Sequence, residues 1–196
     1  MVLDQVYADI LRAAHLSCFA AGMGTALYHE YRTLRTINNP ISVKDIDTVK
    51  RLHDWITLAF IGLWMTGIAL IYVRTAFDLA AFSPKLWVKM CLMVLMSFNA
   101  MLIGIFVVPL LKQNIGRPVV ELPCRALSLS SQVAIVSMFC WTSGLALGSS
   151  AYLKTAPWDV LLPLFAGWFA VCTIGGQVLI GCMRLRVKSA SQLEAR

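Results

Sequence analysis

Charge is scarce in this chain. Only 14% of its 196 residues are Asp, Glu, Lys or Arg, while 59% are hydrophobic. So few charges cannot coat a water-facing surface, which excludes an ordinary soluble domain. Acidic residues are scarcest, ten against seventeen basic ones. No carboxylate pair for general acid–base work, no nucleophile beside a base and no site for a metal-activated water is visible. The six cysteines form neither CxxC nor CxxCH. That excludes a dithiol redox motif, a zinc knuckle and covalent attachment of a c-type haem. Internal repeats, phosphate-binding loops and low-complexity segments are missing as well.

Long apolar runs are what the chain does have. Five are long enough to cross a hydrocarbon layer about 30 Å thick: roughly 6–31, 53–73, 86–111, 127–153 and 160–183. Lipid offers the backbone no hydrogen bonds, so each run must be helical. The expected fold is all-α, a single integral membrane bundle of five transmembrane helices with little mass outside the bilayer.

The net charge of +7 could suggest nucleic acid, but its placement argues against that partner. Arg32, Arg35, Lys44, Lys50 and Arg51 lie between spans one and two, and Lys112, Arg117 and Arg125 between spans three and four. Arg184, Arg186, Lys188 and Arg196 form the tail. These are alternate connections, hence one side of the membrane. The other side has Arg74, Lys85 and Lys154, with Arg12 and Lys89 just inside span ends. The positive-inside rule then puts the N-terminus outside and the C-terminus in the cytoplasm. The expected location is a bacterial cytoplasmic (inner) membrane. Asp4 and Asp9 precede span one with no early Lys or Arg, unlike the basic start of a cleaved signal peptide, so span one is expected to be retained.

Histidine occurs three times, and its placement is the most informative feature. His15 and His29 are 14 residues apart on span one. On a helix that is roughly 21 Å along the axis and within about 40° in azimuth. Gly22 lies midway on the same face. Ionisable residues inside a membrane mark functional sites. Two imidazoles with a glycine between them suit a flat macrocycle that needs axial ligands and nearby room. After the break at TINNP, Ser42 opens SVKD, a capping-box-like start with Asp45 in the third position. Ile46, Val49 and His53 then follow on one helix face. His29 leaves span one and His53 enters span two across a short hairpin, at similar depth. Bis-histidine ligation of one haem b by His29 and His53 is the sharp reading, with Arg32, Arg35 and Arg51 as charge-assisted partners for propionates. The plain alternative is a pair of interfacial histidines. If His15 serves a second haem, its opposite ligand is a different residue type or missing; span three offers Met93 and Met96 near that depth and Lys89 one turn further out. Methionines in such a chain are mostly apolar filling.

Other polar positions read as structural. Asn99, Gln132 and Gln177 are expected to bond across helices, and Pro109 to kink span three. The small residues of spans four and five allow close helix approach. Trp87, Tyr152 and Trp158 read as the outer aromatic belt; Tyr28, Tyr31 and Trp55 read as the inner one. The stretch between Lys112 and Cys124, with Pro118 and Pro123, is expected to be extended.

The first three spans resemble a known superfamily. A His in span one, RLHDWITLAFIGLWMTGIALI in span two and KLWVKMCLMVLMSFNAMLIG in span three look like the CopD-type copper-resistance membrane proteins and the related HemJ-type protoporphyrinogen oxidases. The resemblance covers about residues 6–110. It matches His15 to the first-helix histidine and Lys89 to the third-helix lysine, while Asn99 stands near the place of a later histidine. The expected function is that of a b-type haem protein, cytochrome b-like, in membrane electron transfer. It would be a subunit or relay working with partner redox subunits or quinone, with one haem b, or two if His15 also ligates. A porphyrin oxidase using His15 and Lys89 is its enzymatic version. The alternatives are copper handling, with His15, Cys18, Met93 and Met96 as soft ligands, and a structural or assembly subunit of a larger membrane complex.

Overall fold

The computed structural model describes residues 2–194, with side chains described for 5–186. Among them are six α-helices and no β-strand: α1 (Val2–Thr36), α2 (Val43–Thr75), α3 (Pro84–Leu102), α4 (Val108–Gln113), α5 (Cys124–Ser149) and α6 (Trp158–Glu194). A π-helical segment, Ile103–Val107, joins α3 to α4, so these two cross the membrane as one unit. Five helical units are therefore long and apolar enough to span a bilayer, and the chain is an integral membrane protein of five transmembrane helices. Most span ends lie a few residues from expectation, and two changes stand out. The fourth span stops at Ser149, where Tyr152–Lys154 forms a separate 3₁₀ turn, and the fifth continues to Glu194.

Local chemistry sets the ends. α2 starts at the expected capping box: Ser42 accepts from the Asp45 amide, and the Asp45 carboxylate accepts from the Ser42 amide at 3.0 Å. α2 ends with Ala76 and Phe77 both in the left-handed region, φ 47° and 62°, a conformation that disfavours side chains with a Cβ. Pro109 explains the π segment. A proline removes one helical donor and its ring crowds the carbonyl four residues back. The chain absorbs this by a wider turn, in which the Val108 amide reaches the Ile103 carbonyl.

α1 pairs with α2 as an antiparallel hairpin, while α3, α5 and α6 pack in sequence beside it. The main core lies where α1, α2, α3 and α5 meet, built from Ala26, Phe60, Leu63, Met96, Phe139 and Trp141. A smaller cluster of Leu147, Leu153, Ala156 and Leu161 closes the α5–α6 corner. Outward faces carry exposed Leu16, Leu58, Met65, Phe98, Ile174 and Val178, surface that suits lipid and not water. The six aromatic residues assigned to the belts are all at least 36% exposed.

Polar groups inside the bundle find partners across helices. Asn99, 4% exposed, donates to the Val133 carbonyl at 3.0 Å. Gln132 donates to Thr173 Oγ1, and Gln177 lies 3.2–3.4 Å from acceptors on Ser128, Ser131 and Gln132. With Trp168 on Thr142 and Arg184 on Cys124, these rungs tie α6 to α5 along most of their length.

The stretch between α4 and α5 is folded, not extended. It holds a 3₁₀ turn, Val119–Glu121, and pairs with the α1–α2 connection. Ile41 donates to the Arg117 carbonyl, Gly116 to the Ile41 carbonyl and Val120 to the Ile37 carbonyl. Ile37, Ile41, Val120 and Leu122 are buried beneath this clasp. Gly116, at φ +86°, makes the turn that a Cβ would strain.

Candidate functional site: the histidines of the first helix pair

All three histidines lie on the α1–α2 pair, at two levels. At the first, His15 Nδ1 is 2.8 Å from Thr66 Oγ1, and its Cε1 lies over Gly67, 3.5 Å from where a Cβ would stand. The Thr66 hydroxyl has one proton, and it is directed to the Gly62 carbonyl at 2.7 Å. When the Thr66 hydroxyl donates to Gly62 it accepts from His15 Nδ1–H, the tautomer that leaves the Nε2 lone pair uncommitted. Histidines that bind metals are commonly oriented in this way, by a partner on the other ring nitrogen. Lys89 on α3 and Arg74 at the end of α2 are the charged neighbours of His15. The structure thus brings His15 and Lys89, matched only by resemblance, to one place. Lys89 is half-buried, and no hydrogen bond or ion pair holds it among the described residues.

At the second level, His29 is an electrostatic neighbour of His53, as the short hairpin predicts. His29 Nδ1 lies 3.8 Å from Glu30 Oε1, too far for a hydrogen bond. His53 is half-buried, and neither ring nitrogen has a hydrogen-bond partner among the described residues. Glu30 and Asp54 are the adjacent carboxylates.

The surrounding residues depart from expectation. Gly22 does not leave an open slot. A Cβ there would collide with the six-membered ring of Trp141, so the notch on α1 already holds an indole. Phe19 meets the same indole edge-on at 5.4 Å. Arg32 is not free for a propionate either: it donates to Asp45 Oδ1 at 2.7 Å, and so braces the capping box. Arg35 lies over the Tyr31 ring. Arg51 is exposed and makes no ion pair among the described residues. Met93 packs against the main core and Met96 is inside it. Cys18 Sγ fills the hollow over Gly62. Among the described residues, no group of three or more His, Cys, Asp or Glu is placed to hold a metal ion.

Sequence reasoning missed Thr66 and Trp141. The signal for Thr66 was a hydroxyl beside Gly67 in an otherwise apolar run; for Trp141 there was none beyond its place mid-span. No family model, curated protein or solved structure matches this chain.

Proposed function

We propose that this chain is a b-type haem-binding protein of membrane electron transfer, a subunit or relay of a larger redox system. The observation that carries the reading is His53. It is a half-buried imidazole in a membrane helix, with both nitrogens unpartnered, directly beside His29. Two half-buried imidazoles with no hydrogen-bond partner among the described residues are suited to sharing a ligand. His29 and His53 would be the axial ligands, supplied by adjacent antiparallel helices at one depth. Arg51 is the cation available to a propionate, and Arg32 becomes available only by leaving Asp45. Haem, when bound, supplies the one-electron couple. The chain's own residues hold it, keep water from it and set its depth.

His15 supports a second level, since Thr66 engages its Nδ1 and no hydrogen bond engages its Nε2 among the described residues. With Lys89 beside it, this level serves either a second haem or, in a reading that follows the HemJ-type resemblance, a porphyrin substrate. In the proposed orientation the N-terminus is outside a bacterial cytoplasmic membrane, the His29–His53 level faces the cytoplasm, and electrons pass to quinone or to a partner subunit.

The test is a reduced-minus-oxidised visible spectrum of the purified full chain, with a pyridine haemochrome assay. A b-type α-band that is lost in His29→Ala and His53→Ala is expected. A flat spectrum from protein produced with ample haem would overturn the reading. Copper analysis of the same sample then addresses the metal-handling alternative.

A further inference from the structure

The end of the bundle that carries the α2–α3 connection has the fewer basic residues, yet several of them gather at one spot. Lys85 in the first turn of α3 has Arg74, from the last turn of α2, and Lys154, from the turn before α6, as its charged neighbours. Lys89 follows one helical turn below, with Lys85 and Arg74 as its own neighbours. Like charges four residues apart on a helix repel, and a low dielectric strengthens the repulsion. Among the described residues no carboxylate forms an ion pair with Lys85, Lys89, Arg74 or Lys154. Asp78 is bonded to the Ala80 amide at 3.0 Å, and Asp9 to Arg12 at 2.7 Å. Asp159 makes no ion pair among the described residues. Among the described residues this spot has no ion-paired counter-charge.

An apolar crevice of about 180 Å³ runs between α3 and α6. Val88, Leu92 and Leu95 line it from α3, and Trp158, Leu161 and Phe165 from α6. Lys85, Val88, Leu92 and Leu95 are spaced by three and four residues, so the lysine tops the same stripe that forms the crevice wall. Lys154 stands at the head of the other wall, four residues before Trp158. Cations at the mouth and hydrocarbon below are the complement of an amphiphile with an anionic head.

We propose that the α3–α6 crevice is a binding site for an anionic phospholipid, one acyl chain lying in the crevice and the phosphate held by Lys85 and Lys154, with Arg74 beside them. A zwitterionic lipid presents an ammonium to the same cations and is bound less well. The site shares Arg74 as a charged neighbour with the His15 level but uses none of the histidines, and it does not depend on haem.

The test uses the purified full chain in a neutral detergent, with retained lipid read by native mass spectrometry and protection read as a shift in Tm. Phosphatidylglycerol is expected to be retained at least threefold over phosphatidylcholine and to raise Tm. Lys85→Gln/Lys154→Gln should abolish the preference. Lys44→Gln/Lys50→Gln, which removes the same charge at the opposite end, should keep it. Leu162→Trp, an exposed residue of the crevice wall, should lower retention without changing the bundle's Tm in lipid-free detergent. Equal retention of both lipids would overturn the proposal, as would a preference lost only in Lys44→Gln/Lys50→Gln. Protection by inorganic phosphate equal to that by phosphatidylglycerol would overturn the acyl-chain part.

Discussion

Replacing Gly22 with alanine tests one of the two tightest glycine contacts in the bundle. The added methyl meets the Trp141 ring, and that ring cannot retreat. It is 1% exposed, Phe19 lies against it, and Phe19 is itself held 3.0 Å from where a Cβ on Gly144 would stand. Overpacking of a rigid core costs about 1–3 kcal/mol. Alanine returns about 1 kcal/mol of helix propensity, so the net loss falls between nearly nothing and about 2 kcal/mol. The decisive quantity is the coupling with Trp141→Phe. A single ring is shorter than an indole and clears the methyl. It also removes Trp141 Nε1, a buried donor without a partner, whose burial costs about 1–3 kcal/mol. In the Trp141→Phe background Gly22→Ala should therefore be neutral or stabilising. The double-mutant cycle should show about 1–3 kcal/mol of favourable coupling. Reversible unfolding in mixed micelles measures all four species. Additivity within about 0.5 kcal/mol would refute the packing argument. Haem content of the same variants separates packing from cofactor room: a loss of haem in Gly22→Ala at unchanged stability would return Gly22 to the cofactor.

Thr66→Val keeps the shape but strands His15 Nδ1–H; if His15 ligates, metal or haem affinity at that level should fall about 10–100-fold, measured by titration of the apoprotein. Asn99→Leu removes the bond to the Val133 carbonyl and should cost about 0.6–1.7 kcal/mol in the same micelle assay; no loss would mean that Val133 gains nothing from the amide. Ser42→Ala breaks the capping box and should cost about 1 kcal/mol, with fraying of the α2 start visible in amide exchange. Ala76→Gly relieves a left-handed φ of 47° and should stabilise by up to about 1 kcal/mol; destabilisation would show that the αL conformation carries no strain.

What was legible in the sequence was local or counted in residues. Span number follows from hydropathy, the Ser42–Asp45 box from its four residues, and the nearness of His29 to His53 from the short hairpin between them. The partner of Gly22 was not legible, because it stands on a helix more than a hundred residues away. In lipid, a core-facing tryptophan and a lipid-facing one occupy equally apolar runs, so hydropathy does not separate them. Arg32 misled for a related reason. Its carboxylate partner was already known as a cap, and nothing in the sequence says that one aspartate serves both. The bonds of Asn99, Gln132 and Gln177 were foreseeable as a class, since amides in lipid need partners, though not as particular pairs.

The clasp between Ile37–Ile41 and Gly116–Val120 sets an order of assembly. Its second half leaves the ribosome some seventy-five residues after its first. Until then the α1–α2 hairpin is in the membrane with Ile37 and Ile41 uncovered, although they end 2% and 6% exposed. The third span must cross, turn at its π segment and deliver Val120 before those two isoleucines are covered. A chain halted before that point would carry both histidine levels on a hairpin whose Ile37 and Ile41 are still uncovered.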